Sequence, residues 1–258
     1  MKKLAFVASL LAVSSGSALA ADLGARPYYK APATISPAYD WSGFYIGANV
    51  GGAWTRESSS TTALNGVVGG GGNRGSGLGG ASGVVGGGQI GYNFMVAPNF
   101  LLGIEADVDG TSLSGSALSP SGADRGNAKI DAFGTVRGRA GFTQNNWLFY
   151  GTGGFAWSTG SVTRTQIVAQ PTTVPPIPAA AGTVETSSNT RTGWAAGAGV
   201  EWGFTQNWTV KAEYLYLDLG KVTSVFPLAN RMQTNTLTMN VARVGVNYKF
   251  GGPAVARY

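Results

Sequence analysis

Acidic and basic residues recur at every second position in several segments of this sequence. Glu105, Asp107 and Asp109 form one such series, and Arg137 and Arg139 form another. Side chains two positions apart point to the same face of a β-strand, so each series predicts a charged strand face. Charges arranged in this way could pair with one another, line a path for ions, or act as acids and bases in catalysis.

Neither enzymatic nor metal chemistry is expected from the residue types. The sequence contains no histidine and no cysteine, so no Ser/His/Asp set can be assembled and the nitrogen and sulfur ligands of zinc are missing. A GxGxxG match at 75–80 lies in a glycine-rich stretch, without the strand and helix that a dinucleotide site needs. We therefore predict no catalytic residue, no metal site, no cofactor and no enzymatic activity.

The charged series belong to a longer alternation of apolar and polar residues, which is typical of β-strands. The alternation begins in 41–54, where Phe44 and Ile46 share one face, and it is clearest in 128–142. The predicted strands are 41–54, 83–94, 100–113, 128–142, 147–163, 190–204, 208–219 and 236–250. The two faces of the fifth strand cannot be told apart, and a break in the alternation at Met239 and Val241 predicts a bulge in the last strand.

Short and long connections alternate between these strands. The short turns are 97–99, 143–146 and 205–207, and the long connections are 57–82, 114–127, 164–189 and 220–235. Outer-membrane barrels have short periplasmic turns and longer external loops. The pattern predicts an all-β protein, an eight-stranded antiparallel up-and-down transmembrane β-barrel with four long external loops and three short periplasmic turns.

The start of the chain predicts export. Lys2 and Lys3, an apolar run and the segment 18–20 (Ala-Leu-Ala) form the pattern of a cleaved signal peptide. The predicted organisation is a signal peptide at 1–20, a proline-containing periplasmic linker at 21–40, the barrel at 41–250 and a C-terminal tail at 251–258. The predicted location is the outer membrane of a Gram-negative cell. Because the sequence has no run of Lys or Arg, nucleic acid is not an expected partner.

If the apolar strand faces contact lipid, the charged faces line the interior. The predicted interior acids are Glu105, Asp107, Asp109, Asp131, Glu201 and Glu213, and the predicted interior bases are Lys129, Arg137, Arg139, Lys211, Arg243 and Lys249. An eight-stranded barrel is only wide enough to be filled by its side chains, so we interpret these balanced charges as structural packing. A narrow gated ion path lined by Arg137, Arg139 and Glu213 is the alternative.

Aromatic residues cluster beside the short turns and the ends of the barrel. They are Trp41, Phe44, Phe94, Phe142, Trp147, Phe204, Trp208 and Phe250. Because they all lie beside the short turns or the chain ends, they should lie at the same height on the barrel. We therefore predict that they form the aromatic belt at the periplasmic interface of the membrane. In the last long connection, Lys221 and Arg231 could contact the phosphates of lipopolysaccharide, although charges exposed to water are the preferred interpretation.

Four segments resemble a known family. They are Trp-Ser-Gly-Phe-Tyr-Ile-Gly at 41–47, Gly-Tyr-Asn-Phe at 91–94, Tyr-Gly-Thr-Gly-Gly-Phe-Ala at 150–156 and Arg-Val-Gly-Val-Asn-Tyr-Lys-Phe at 243–250. Together they resemble the small alphaproteobacterial outer-membrane barrels known as porin-family, opacity-like or RopB-type proteins, and the OmpA membrane domain. The resemblance implies an eight-stranded barrel with structural, surface-antigen or host-contact roles and no catalytic site. It also implies the barrel-assembly machinery as a partner, which reads a terminal aromatic, here either Phe250 or Tyr258.

The function expected from the sequence is a structural role in envelope integrity with display of surface loops. A small porin that conducts ions or small solutes is the alternative. The expected partners are outer-membrane lipids and lipopolysaccharide, the assembly machinery, and host or surface ligands at the external loops.

Overall fold

The computed structural model describes residues 39–63, 77–119, 122–168, 180–226 and 231–250. The predicted signal peptide, most of the predicted linker, the predicted tail and part of each of the four predicted long loops lie outside these residues. Among the described residues, no helix is long and apolar enough to cross a membrane.

The described residues form nine antiparallel strands in one closed sheet. They are β1 Gly43–Ala63, β2 Ser82–Ala97, β3 Phe100–Thr111, β4 Ser114–Leu118, β5 Asp124–Gln144, β6 Trp147–Gln166, β7 Val184–Gly203, β8 Trp208–Phe226 and β9 Arg231–Lys249. Neighbouring strands pair in the order β3-β2-β1-β9-β8-β7-β6-β5-β4, and an additional β3–β5 pairing closes the ring. The predicted antiparallel β-barrel is confirmed.

The predicted count of eight strands is corrected to nine because one strand is interrupted. β3 pairs with the part of β5 from Ala132 to Phe142, and β4 pairs with the part from Arg125 to Lys129. The two strands thus occupy one position in the ring. The interruption lies beside a register shift in β5, between Ile130 and Ala132, so a local irregularity in two neighbouring strands explains the extra element.

The short turns at the periplasmic end are as predicted, but two external connections are shorter than expected. β8 ends at Phe226 and β9 begins at Arg231, so most of the predicted loop 220–235 is strand. Similarly, β4 and the start of β5 occupy most of the predicted loop 114–127. These strand ends were missed because their outward residues mix Ser and Thr with Lys221 and apolar residues such as Val225, which does not give the alternation of a lipid-facing strand.

The outer surface of the barrel has an apolar band bounded by aromatic side chains. At the short-turn end, aromatic rings of neighbouring strands approach each other, with centroid distances of 5.5 Å for Phe44–Phe250 and 5.9 Å for Trp147–Trp202. At the other end lies Trp54, 6.2 Å from Tyr214. From Phe44 to Trp54 the tilted strand rises about 25 Å along the barrel axis, which matches the apolar thickness that outer-membrane barrels present to lipid.

Seven of the eight predicted belt aromatics are exposed on this outer surface. They are Phe44, Phe94, Phe142, Trp147, Phe204, Trp208 and Phe250. Trp41 is the exception, and its assignment to the belt is wrong, since only 2% of its surface is exposed. It precedes β1 and turns into the end of the barrel, where it packs with Leu101, Leu148 and Tyr150.

Above the apolar band, the strands continue for about 20 Å in a part of the barrel that we call the extension. It comprises residues 55–63, 114–118, 124–132, 157–166, 184–193, 217–226 and 231–239. Hydroxyl side chains pair across its outer face, at 3.0 Å between the Oγ1 atoms of Thr163 and Thr186. Its inside is largely apolar, with Leu217 and Leu237 fully buried, and it also holds buried polar side chains such as Arg191 and Asn235. The two faces therefore exchange polarity where the strands leave the apolar band.

This exchange of polarity corrects the predicted bulge at Met239 and Val241. β9 pairs with β1 without interruption from Arg231 to Lys249. Both side chains are fully buried and face the interior, because the interior becomes apolar at this height. The register shift lies instead in β8, between Asp218 and Lys221.

The apolar band makes a test of membrane position possible. We expect Val244→Arg, in the middle of the band, to lower the free energy of unfolding by about 2–4 kcal/mol. Thr190→Arg, on the outer face of the extension, should change it by less than about 0.5 kcal/mol. Denaturant unfolding of both variants in phospholipid vesicles measures the difference. Equal losses would contradict the assigned boundary.

Candidate functional site

The interior is filled in three layers. At the short-turn end, Trp41, Leu101, Leu148 and Tyr150 form a small apolar group. The middle layer consists of ionised and hydrogen-bonding side chains. The layer above it is apolar and includes Phe133, Ile130, Val162, Leu215, Leu217, Leu219, Phe226, Leu237, Met239 and Val241. The charged layer is thus enclosed between two apolar layers.

Nine ionisable side chains form the middle layer, which we call the ion network. They are Glu105, Asp107 and Asp109 on β3, Arg137 and Arg139 on β5, Glu201 on β7, Lys211 and Glu213 on β8, and Arg243 on β9. Their alternation along each strand places them on the inner face. None of them is more than 4% exposed, so the network is closed to solvent.

Arg137 is the centre of the ion network. Its guanidinium lies 2.7 Å from Glu105, 2.9 Å from Asp107 and 3.1 Å from Glu213. Its Nε donates a hydrogen bond of 2.7 Å to the hydroxyl of Thr135. One side chain of β5 therefore connects carboxylates of β3 and β8 across the width of the barrel.

Arg243 and Lys211 complete the pairing of these carboxylates. Arg243 lies 2.7 Å from Asp109, 3.1 Å from Asp107 and 2.7 Å from Glu213. The ammonium group of Lys211 lies 2.9 Å and 2.8 Å from the two oxygens of Glu105. Each acid of β3 thus contacts at least one base from another strand.

Arg139 extends the network toward the periplasmic end. It lies 2.7 Å from Glu201, and its guanidinium carbon is 4.1 Å from the centroid of the Tyr150 ring. The hydroxyl of Tyr45 accepts a hydrogen bond of 2.7 Å from Arg139 and donates one of 2.8 Å to Glu105. Stacking and hydrogen bonding by the tyrosines help to compensate the charges where no further ion is available.

Glycines provide the space for these tyrosines. A Cβ atom at Gly91 would overlap the Tyr45 ring, and one at Gly199 would overlap the Tyr150 ring. Both glycines lie on the inner face of strands next to the tyrosine strand. The glycine-rich composition therefore has a specific use at this height, since it allows large side chains to lie flat inside a narrow barrel.

Two predicted interior residues lie outside the barrel. Lys129 and Asp131 form an ion pair of 2.9 Å with side chains 59% and 52% exposed, so their assignment to the interior is wrong. The cause is the register shift between Ile130 and Ala132. One additional residue reverses the faces of a strand, so the residues before the shift point the opposite way from those expected by alternation.

Lys249 lies at the periplasmic end, apart from the ion network. Its ammonium group donates a hydrogen bond to the main-chain oxygen of Asp40 and lies 3.8 Å from the Asp40 carboxylate. It is also 5.1 Å from the centroid of the Tyr39 ring. Burial, together with the charges of Glu201 and Asp40, raises the pKa of Tyr39 above its usual value, so the ring stays neutral beside the cation. Residues 39 and 40, assigned to the linker, thus contact the barrel.

The structure also shows polar residues that the sequence did not single out. Gln89 bridges β1 and β9, since its side chain accepts a hydrogen bond of 2.8 Å from Asn49 and donates one of 2.7 Å to Asn247. In the extension, Arg164 lies 2.5 Å from Asp124. The sequence shows that these residues alternate with their neighbours along each strand. It does not show which strands lie side by side, so it could not predict these contacts. The structure also orients β6, the fifth of the predicted strands, with Leu148 and Ala156 inside.

The chemistry available to this interior is limited by its closure. Every carboxylate of the ion network contacts an arginine or lysine, and none has an exposed surface on which a substrate could bind. Among the described residues, no group of three or more acidic side chains is arranged to hold a metal ion. Separating one buried partner from the others is costly, so the arrangement links the strands.

A transmembrane barrel with a filled, charge-paired interior defines a class of outer-membrane proteins, and comparison with known proteins agrees with this class. The family model described as "outer membrane protein beta-barrel domain" matches residues 6–250. The chain therefore belongs to the outer-membrane β-barrel family and is an outer-membrane protein.

Relatives of this chain occur in alphaproteobacteria. The 31 kDa outer-membrane immunogenic protein of Brucella melitensis is 36% identical over 256 residues, which cover 96% of this chain and 100% of that protein. The 22 kDa outer membrane protein of Rhizobium leguminosarum bv. viciae is 29% identical over 222 residues, which cover 84% of this chain and 82% of that protein. Among solved structures, Neisserial surface protein A is 18% identical, with a TM-score of 0.42 and coverage of 81% of this chain and 98% of that chain. The resemblance found in the sequence is confirmed.

The ion network makes a test of stability possible. We expect Arg137→Met to lower the free energy of unfolding by about 3–5 kcal/mol, because three carboxylates lose a buried partner. Lys129→Met breaks an exposed pair and should cost less than about 1 kcal/mol. Denaturant titration followed by tryptophan fluorescence measures both. If the two variants were equally stable, the network would not be the central contact of the interior.

Proposed function

We propose that this protein is a structural, non-catalytic barrel that supports the integrity of the outer membrane and displays its extension and loops at the cell surface. The observation that carries the proposal is the closed ion network, whose nine charged side chains are at most 4% exposed. A barrel packed in this way offers no internal surface to a substrate. Contacts with other molecules are left to the outer wall and the external end.

The extension supports the display role. Its outer face carries Ser and Thr pairs such as Thr223 and Thr234, whose hydroxyls lie 2.9 Å apart. Its inside has an apolar core of its own, so it can stand above the membrane without lipid around it. Two relatives are named immunogenic outer-membrane proteins, which is compatible with surface exposure. We propose that the extension and its loops contact host or surface ligands, and that lipopolysaccharide and membrane lipids contact the wall.

The interior does not favour the small porin, the alternative expected from the sequence. An ion that moved inward from outside would have to cross an apolar layer that includes Leu217, Leu237 and Met239, all fully buried. Below this layer it would meet Arg137 and Arg243, which are held by several carboxylates each. Moving any of these groups aside would leave buried charges without partners.

Deletion of the gene tests the structural role. We expect the deletion strain to become more sensitive to detergent, and the wild-type gene and the Lys129→Met variant to restore resistance. The Arg137→Met variant should restore less, because less folded barrel accumulates. The shift in migration on unheated gels measures the folded fraction. Unchanged resistance of the deletion strain to detergents and chelators would contradict the proposal.

Planar bilayers test the porin alternative. The purified full-length protein should produce no stable conductance steps at neutral pH, because its interior is occupied by apolar and ion-paired side chains. Detergent without protein is the baseline, and folding is verified on the same sample by its migration on unheated gels. Reproducible steps that scale with the amount of folded protein would replace the structural proposal by a channel function.

A further inference from the structure

We infer that the outer wall of the barrel binds the lipid A phosphates of lipopolysaccharide through Arg56 and Lys221, which lie on either side of β9. The inference rests on the proposed orientation of the barrel, with the extension outside the cell. It goes beyond the proposed function by naming a binding site and the chemistry of its ligand.

The height of the site matches that of the lipid headgroups. Trp54 and Tyr214 end the apolar band, and the hydroxyl of Tyr214 donates a hydrogen bond of 2.7 Å to Asn240 on the same outer face. Aromatic side chains of this kind mark the interface between hydrocarbon and headgroups. Arg56 is exposed and lies two positions after Trp54 on the same face, about 5 Å higher along the barrel axis. This is the level at which lipid A carries its phosphates.

Pairing of the strands brings the two cations to the same side of the barrel. Arg56 of β1 is opposite Thr238 of β9, and Lys221 of β8 is opposite Thr236. The backbones of β1 and β8 are about 10 Å apart across β9, a span that two long basic side chains can bridge. The hydroxyls of Thr236 and Thr238 lie between the cations and add hydrogen-bond donors for phosphate oxygens.

A local irregularity directs Lys221 outward. In a regular strand, Lys221 would point to the opposite face from Asp218, three positions earlier. The register shift between these two residues places both on the outside. Bulges commonly redirect a side chain at functional positions. Here the bulge brings a second cation beside the one supplied by β1.

The electrostatics of the site favour an anion. Among the described residues neither Arg56 nor Lys221 is ion-paired, in contrast to Lys129, which lies 2.9 Å from Asp131. Asp218 is the acid nearest in register and is opposite Thr238, as Arg56 is. Its carboxylate accepts a hydrogen bond of 2.9 Å from the main-chain N–H of Gly220, so the two cations leave the site with a net positive charge. Above the cations, the wall carries the hydroxyl pair of Thr223 and Thr234 and then the exposed apolar pair of Val225 and Met232. Cations at phosphate height with hydroxyl groups beside and above them fit a phosphorylated glycolipid.

The structure also modifies the hypothesis drawn from the sequence. That hypothesis paired Lys221 with Arg231. The side chain of Arg231 lies outside the described part of the chain, and Arg56 was not considered because it lies between the predicted first strand and the predicted first loop. Only the pairing of β1, β9 and β8 brings Arg56 and Lys221 together.

Binding of purified lipopolysaccharide tests the inference. The full-length protein in detergent is titrated with rough lipopolysaccharide, with the same material after removal of its lipid A phosphates, and with phosphatidylglycerol. We expect the double variant Arg56→Gln/Lys221→Gln to bind intact lipopolysaccharide about 30-fold more weakly, from two charges near an anionic surface. Its affinity for the dephosphorylated material should not change. The matched control is Arg125→Gln/Lys129→Gln, which removes two exposed cations from β5, on the opposite side of the ring.

Each outcome has a defined meaning. Selective loss of affinity for intact lipopolysaccharide, with a control variant that binds like the wild type, supports the site. An equal loss in the control variant, an equal loss for dephosphorylated lipopolysaccharide or for phosphatidylglycerol, or no loss at all would overturn it. Migration on unheated gels verifies that all variants are folded. Because binding is measured with purified protein, failure of this site leaves the deletion phenotype, and thus the structural role, unaffected.

Discussion

The pairing of buried charges around Arg137 is the interaction on which the rest of the structure depends. This residue contacts carboxylates of β3 and β8, while main-chain hydrogen bonds close the ring of strands around it. Neither the lipid outside nor the apolar layers above and below can solvate a charge, so each acid must meet a base. The pairing fixes the register of the strands, since a slip of one residue would turn these charges toward lipid.

Each long strand passes from the membrane into the aqueous extension. In the membrane its outer face is apolar and its inner face is polar, and in the extension the polarity of the two faces is reversed. Within the apolar band, residues such as Val244 face lipid while Arg243 faces the interior. In the extension, Thr234 faces the outside while Leu237 is buried. The barrel thus joins a membrane domain and an aqueous domain without any loop between them. This continuity gives the external end a rigid wall and explains why several predicted loops are strands.

A filled interior has consequences for function. Since the ion network is closed to solvent and covered by an apolar layer, the surfaces left for recognition are the outer wall and the external end. The bulge in β8 shows how the fold can shape that wall, because one irregularity turns Lys221 outward beside β9. Membership of the outer-membrane β-barrel family agrees with a wall that faces lipid.

The sequence by itself determined the class of fold, because it combines strands of period two with alternating short and long connections and a pattern for export, and together these favour a barrel in lipid over a soluble sheet. It also placed most of the ion network inside, since alternation assigns a face to every residue of a regular strand. It could not place Lys129 or Asp131, because a bulge reverses the face of a strand without leaving a signal in the pattern. The break in the alternation at Met239 was visible but was interpreted as a bulge, whereas it marks the height at which the interior becomes apolar. Only the tertiary structure decided which charges meet, since the pairing of Arg137 with Glu213 and the approach of Arg56 to Lys221 depend on the register between strands distant in the chain.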